Sequence, residues 1–553
     1  MSASKYENLL NENLRKALVK VSGLDPKELP VVYPYLEFPK EKSFGDVSVT
    51  SALKLSGTLK QPPREIAAKI VSYLNEEIPN CELKDVIAKI DIAGPGFINF
   101  TFKPVYFYFI LKDIMETGGK GIAKTDKPRK ALVEFVSANP TGSLSVAHGR
   151  QAAVGDALCN VLEFLGHEVK REYYLNDEGN QINILGNSIY LRLRELQGEK
   201  IEFPEDHYQG EYIRGLAEEL APGAASSKPP EFYREYGVKR ILDIIKKELD
   251  DFGVKFDSWY SQASLRESGK IDRSIELLKE KGYIYESEGA VWFASTKFLD
   301  DKDRVIVKSD GSYTYLAPDI AYHQDKYKRG FEWLINFWGP DHHGYINRLK
   351  SSVAAFGKDA NSLNIVIVQL ATLFKEGKVV SMSTRKGEYI TLREVMDEVG
   401  KDAARFFFVM RKTDSHLDFD LELAKKQNSE NPVFYVQYAH ARICNILVNA
   451  KLSSDTLKNA DLSLLDKKEE LDLLKALAKF EWALKVAEIQ LDPYPLTSYL
   501  QELAESFHRF YDVHRVLSDD ASLTNARLAL IFGCKTIIAL GLSLLGVKAP
   551  EKM

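Results

Sequence analysis

Four stretches of the sequence carry side chains suited to phosphate and cation chemistry. In VEFVSANPTGSLSVAHGRQAAVGDA (133–157) a glycine-bearing loop runs into a helical pattern, with His148 at the junction. Backbone amides at such a loop and helix start can hold anionic phosphates, helped by the positive end of the helix dipole. A histidine there can donate a hydrogen bond to a phosphate oxygen and stabilise charge that builds during displacement at phosphorus; losing one such donor typically costs ~3–4 kcal/mol. The same residues also describe an ordinary helix N-terminus with a polar cap. In VVSMSTRKGEYITL (379–392), Arg385 and Lys386 occupy a polar loop between an apolar strand and a helical pattern. Cations placed over a triphosphate neutralise charge on a leaving pyrophosphate, although a basic loop is ordinarily a solvated surface. Asp319 in YTYLAPDIAYHQDKYKRG follows a proline, which is the habit of a first-turn helix residue. The fourth stretch, FWGPDHHGYINRLKSSV (337–353), holds an Asp-His-His run, but no further ligand spacing supports a closed zinc site.

The elements that must position these groups can be read from periodicity. ALVEFVSA (131–138) is continuous, rich in β-branched residues and closed by Asn139-Pro140, so it reads as a buried strand. GRQAAVGDALCNVLEFLGH (149–167) reads as an amphipathic helix, and strand, glycine loop and helix together open a nucleotide-binding α/β unit. Residues 170–300 are more helical and charged, with a loop-like tip at 221–231. Further strands are expected at 305–309, 331–339 and 363–371, and from about Asp402 the pattern is nearly all helical. At the other end, Leu9, Leu10, Leu14, Leu18 and Val19 follow a helical period, and Gly94-Pro95-Gly96 is a turn before a strand. The expected organisation is a small α+β domain over 1–118, an α/β Rossmann-like domain over 119–400 with helical insertions at about 185–290, and an all-α domain over 401–553.

At 553 residues the chain is too long for a single core. A net charge of -5 argues against indiscriminate coating of nucleic acid, yet leaves room for a specific RNA partner, because local basic stripes decide that. Cys81, Cys159, Cys444 and Cys534 include no CxxC pair, which fits a reducing cytoplasm without disulfides or structural zinc. The N-terminus lacks a signal-peptide core, and no apolar run reads as long enough to span a membrane.

Taken together, these stretches resemble the arginyl branch of the class I aminoacyl-tRNA synthetases, of bacterial type. Residues 139–149 are similar to the family's N-P-T-G and H-x-G-H signature, with Ser145 and Ala147 in place of the first histidine and the glycine, and His148 retained. Residues 381–387 are similar to its K-M-S-K-S loop in an M-S-T-R-K-G form, with Thr384 in place of the catalytic lysine. FGDVSVTSALKLSG, IAGPGFINF, EYYLNDEGNQI, the block 402–443, FHRFYDVHRVL and GVKAPEKM extend the likeness over nearly the whole chain.

The resemblance implies ATP-dependent activation of arginine and its transfer to the 3′ end of tRNA(Arg), with tRNA needed for activation. It places His148, Ser383 and Arg385 in catalysis, with Lys130, four residues before Glu134, supplying the charge that Thr384 lacks. Guanidinium is planar, always charged and forked, so a selective site needs carboxylates. The arginine site would be Glu134, Asn139, Ser145, Tyr315, Asp319 and Gln369, with Asp319 as guanidinium anchor. ATP would meet Ser137, Thr141, Gly142, His148, Gly149, Gly339, Asp341, His342 and Met382, and would bring magnesium with it as a substrate complex. Tyr435, Tyr438 and Met553 would line the anticodon pocket, where unpaired bases stack on aromatic faces. A cytoplasmic monomer is expected, with no membrane and no resident metal. The other readings are a non-catalytic tRNA-binding paralogue and another nucleotidyl transferase of the same fold.

Overall fold

Five parallel strands form the sheet on which the site is built: β1 (Lys130–Glu134), β2 (Glu168–Leu175), β3 (Ser258–Ser261), β4 (Trp333–Trp338) and β5 (Leu363–Ile367). Their order is β3-β2-β1-β4-β5, and every pairing is parallel. Such strands are covered on both faces, which explains the unbroken apolar runs Ala131–Val133 and Trp333–Ile335. The chain builds one half of the sheet outward from β1 and then crosses to β4. In a doubly wound sheet the crevice outside the carboxyl ends of β1 and β4 is therefore where ligands bind. The computed structural model describes residues 3–25, 37–39, 44–121, 124–125, 127–223, 228–379, 389–451 and 454–553.

Helix α1 (Val146–Phe164) follows β1 and begins three residues earlier than its apolar period suggests, so that His148 lies inside its first turn. Between β2 and β3 come the helix Asn180–Leu196, then α2 (Glu211–Leu220) and α3 (Pro230–Phe252). Helix α4 (Leu316–Lys328) leads into β4. The N-terminal unit has the helix Ala3–Ser22 over an antiparallel sheet of Val47–Val49, Phe97–Phe102 and Ile87–Ala93. It is tied to the C-terminal helices by Lys475 to Asp46 at 2.8 Å and by the Tyr108 hydroxyl donating to the Leu465 carbonyl. The C-terminal bundle includes α5 (Pro432–Ala450), α6 (Tyr494–Val513) and α7 (Ala521–Leu544).

Two readings of the sequence need correction, and one predicted strand takes a partner that periodicity could not name. The run at 305–309 forms Arg304–Val307, which belongs to a separate antiparallel sheet with Ala290–Phe293 and Ile284–Ser287. The run at 363–371 is split: β5 stops at Ile367, and Ala371–Lys375 pairs with Leu417–Asp420 in a third sheet. Periodicity marks a run as extended but not its partner. Finally, α7 is long and apolar enough to cross a membrane by length and composition, contrary to expectation. Of its apolar stretch, 67% is buried against the rest of the protein, as befits a core helix of the bundle.

Candidate active site

Strand β1 ends at Glu134 rather than running on to Ala138, because the backbone turns sharply there. Val136 has φ 68° and Ser137 φ 40°, and the Ser137 N–H bonds the Phe135 carbonyl. Positive φ is a strained choice for a β-branched residue, and such strain collects where a loop must be held in one shape. The surroundings hold it: the Tyr173 hydroxyl donates to the Ala138 carbonyl, and the Tyr174 N–H donates to Ser137 Oγ.

Beyond the turn, Ser145 caps α1. Its backbone N–H donates to His148 Nδ1 at 3.2 Å, reciprocating the cap. With Nδ1 accepting, the neutral ring carries its proton on Nε2, and burial keeps the ring neutral by pushing its pKa down to about 4. The capping and chemical readings of His148 are thus compatible, since the cap fixes the tautomer that can donate to a phosphate. A Cβ on Gly149 beside it would meet Leu392 Cδ1 at 2.7 Å, so Leu392 would have to shift to admit one.

The arginine candidates assemble around a buried network that the sequence reading missed. Glu134 accepts from Lys326 Nζ at 2.5 Å, and Lys326 is fully buried. Lys326 also donates to Asn336 Oδ1 on β4; the Asn336 amide donates to His323 Nε2, and His323 Nδ1–H donates to the Asp319 carbonyl. Because lysine can only donate, it fixes the orientation of the whole chain of bonds. Asp319 itself sits in the first turn of α4, where burial and the Glu134 charge push its carboxyl up to about 7 against the pull of the Tyr345 hydroxyl. Glu172, also buried, is held by Arg329 through both carboxylate oxygens and by the Tyr322 hydroxyl. One signal for this network was present in the sequence: Asp319, Tyr322, His323 and Lys326 fall at helical spacing on one face of α4.

The remaining candidates divide. Ser137 donates to Glu134 at 3.3 Å, and exposed Asn139 donates to Gln181 at 2.6 Å. Thr141 and Gly142 follow in the same loop. Gly339, Asp341 and His342 leave the carboxyl end of β4, with Asp341 and His342 exposed and 3.4 Å apart. Gln369 follows β5, its side chain bonded to the Leu370 N–H. Tyr315 immediately precedes α4 and is 84% exposed. Lys130 is not brought to the site. It is the first residue of β1, four residues back from Glu134 along an extended strand and hence at the amino end, away from the carboxyl-end crevice, 3.7 Å from Glu168 and 5.3 Å from the Phe331 ring centre. The family resemblance suggested a shared pocket, whereas strand geometry separates them. Met382, Ser383 and Arg385 lie outside the described residues.

In the C-terminal bundle, α5 and α6 place aromatic rings beside a cation. Tyr435 and Tyr438 lie 4.7 Å and 6.1 Å from the His508 ring, and Arg442 lies 4.7 Å from the rings of both Tyr438 and Tyr511. The C-terminal tail crosses the same helix: Gln437 donates to the Lys548 carbonyl and His440 to that of Pro550, leaving Met553 exposed.

Comparison with known proteins decides the family. Three family profiles match in succession: the arginyl tRNA synthetase N terminal domain at 8–102, the tRNA synthetases class I (R) catalytic domain at 110–447, and the DALR anticodon binding domain at 436–553. The arginine–tRNA ligase of Bacillus subtilis is 44% identical over 563 residues and that of Bacillus licheniformis 45% over 559, each alignment covering at least 99% of both chains. The chain belongs to the arginyl-tRNA synthetases. The arginyl-tRNA synthetase of Thermus thermophilus, 22% identical, shares the fold with a TM-score of 0.78 over 99% of this chain and all of that one. As an arginyl-tRNA synthetase the chain is an ATP-dependent ligase whose substrates are arginine, ATP and tRNA(Arg).

Proposed function

We propose that arginine and ATP meet at the carboxyl ends of β1 and β4, with Asp319 anchoring the guanidinium and Glu134 holding the α-amino end. The observation that carries this reading is the half-buried Asp319 carboxyl, raised in pKa, beside a Glu134 paired with Lys326. Asp319 thereby takes the guanidinium, while Glu134, shared with Lys326, meets the α-amino group. Asn139, Ser145, Tyr315 and Gln369 border the amino acid. Ser137, Thr141, Gly142, Gly149, Gly339, Asp341 and His342 surround ATP, whose magnesium arrives with the triphosphate.

The arginine carboxylate attacks the α-phosphate in line, forming arginyl-adenylate and releasing pyrophosphate. His148 donates from Nε2 to a phosphate oxygen as charge builds, and the first turn of α1 adds its amides. The terminal adenosine hydroxyl of tRNA then attacks the adenylate carbonyl, and AMP leaves. Positioning and electrostatics, rather than a covalent enzyme intermediate, supply the acceleration. Met382, Ser383 and Arg385 act on the triphosphate from their loop; Lys130 has no part in catalysis because of its place on β1.

We further assign residues 1–118 to contact with the tRNA corner, 119–400 to catalysis and 401–553 to the anticodon, read by Tyr435, Tyr438 and Met553. The chain acts as a monomer in the cytoplasm, and activation depends on tRNA. Arginine-dependent ATP–pyrophosphate exchange, with and without tRNA(Arg), tests the scheme. Exchange is expected only with tRNA present; equal exchange without it would contradict this reading.

A further inference from the structure

The loop between β1 and α1 is held by phenols from two distant parts of the chain. The Tyr212 hydroxyl, on α2, donates to the Thr141 carbonyl at 2.7 Å. The Tyr389 hydroxyl donates to the Ser143 carbonyl at 2.8 Å. Gly142 lies between these two carbonyls, and a Cβ built on it would meet the Tyr389 oxygen at 3.1 Å and the Tyr212 oxygen at 3.4 Å. The following residue is fixed as well: the Leu144 N–H donates to buried Glu248 on α3, and the Leu144 carbonyl accepts from the Leu392 N–H.

We infer that Tyr212 and Tyr389 are positioning residues for adenylate formation, clamping the Thr141–Ser143 backbone so that the Gly142 and Ser143 amides face the ATP phosphates. The physical reason is the planarity of the peptide unit. Carbonyl and N–H point in opposite directions across a trans peptide, so fixing the Thr141 carbonyl also fixes the direction of the Gly142 N–H. Preorganised donors stabilise a transition state because they need no reorientation as charge develops. The tyrosines come from an insertion helix and from the segment leading into the helix Leu392–Val399, so neither is required to close the loop locally. Both rings are half-buried, and each can lose its hydroxyl while keeping its packing. The inference rests on the reading of residues 139–149 as the phosphate loop.

The test uses the full chain with tRNA(Arg) and measures arginine-dependent ATP–pyrophosphate exchange. Y212F and Y389F should each lower kcat about 3- to 10-fold, as expected for one lost hydrogen bond. The KM for arginine should stay at the wild-type value, because the arginine pocket is untouched, and the melting temperature should fall by no more than the few degrees that one lost hydrogen bond costs. An unchanged kcat in both variants overturns the clamp, as does a loss in which kcat, arginine KM and melting temperature move together. Gly142→Ala gives a second readout. Its added methyl presses on the Tyr389 oxygen, so its cost in kcat should shrink in the Y389F background; an equal cost in both backgrounds overturns the contact. His148→Ala separates the two levels of the argument. If it abolishes exchange while the phenylalanine variants are silent, the clamp alone fails; if it too is silent, the phosphate-loop reading fails with it.

Discussion

Lowering the pH from 8 to 6 should weaken arginine binding through Asp319. Its carboxyl is pushed up to about 7 in the free protein, so roughly nine-tenths is ionised at pH 8 and roughly one-tenth at pH 6. Only the ionised form can pair with a guanidinium, and binding of the cation pulls the pKa down. Affinity should therefore fall about 10-fold per pH unit below 7, and binding at pH 7 should release about half a proton. The shifted groups around it do not titrate in this window: burial lowers His148 and His323 and raises Tyr322 and Tyr345. The linkage to stability has the opposite sense to a salt bridge. A carboxyl that ionises near 3.8 when unfolded and near 7 when folded favours unfolding as it ionises, so free-protein stability falls between pH 4 and 7. The loss is about 4 kcal/mol, from roughly 3 pH units at about 1.4 kcal/mol each. Asp319→Asn should consequently raise the melting temperature at pH 8 while abolishing both arginine binding and its pH dependence. Calorimetric titration with arginine in buffers of different ionisation enthalpy measures affinity and proton release together. A flat affinity between pH 6 and 8, or a slope that survives in Asp319→Asn, would refute the reasoning.

His148→Ala should depress adenylate formation about 100- to 1000-fold with little change in arginine KM, and an unimpaired rate removes His148 from catalysis. Because its ring is neutral above about pH 5, the wild-type rate should show no ionisation of this residue between pH 6 and 8. Lys326→Met leaves Glu134 buried without its partner and should cost about 3–5 kcal/mol of stability; a melting temperature equal to wild type would show that the pair is not felt. Arg442→Ala together with Tyr438→Ala should raise the KM for tRNA by about 10-fold or more, in line with ~1–3 kcal/mol per stacked base, and leave ATP and arginine KM alone. Loss of arginine activation without tRNA-specific weakening would place those rings in the core instead. Gly155→Ala would bring a methyl to 2.4 Å from Phe135, so it should destabilise by about 1–3 kcal/mol, which denaturant unfolding can check.

What the sequence made legible was the part carried by local pattern. The strand before Asn139-Pro140, the helix carrying His148 and the helical bundle from Pro432 onward follow from periodicity and capping, which act over a few residues, whereas the strand Leu417–Asp420 interrupts the expected all-α region over 401–553. Lys130 shows where that reasoning stops. The family resemblance put Lys130 with Glu134, but a separation of four along a strand spans about 13 Å and leaves the two side chains at opposite ends of β1. Lys326 was overlooked for a related reason: read singly, a lysine near a helix C-terminus is a solvated charge, and its partner Glu134 is 192 residues away. Tyr212 and Tyr389 likewise meet Gly142 only through tertiary folding. The register of Arg304–Val307 and of Ala371–Lys375 was hidden because an apolar strand does not name its neighbour.

A crystal structure with arginine and a non-hydrolysable ATP analogue tests the central claim most directly. The account places the guanidinium within about 3 Å of the Asp319 carboxylate, the α-amino group toward Glu134, and the phosphates over the first turn of α1 within reach of His148 Nε2. A guanidinium bound to Glu134 with Asp319 left vacant, or phosphates lying away from the 139–149 loop, would contradict it.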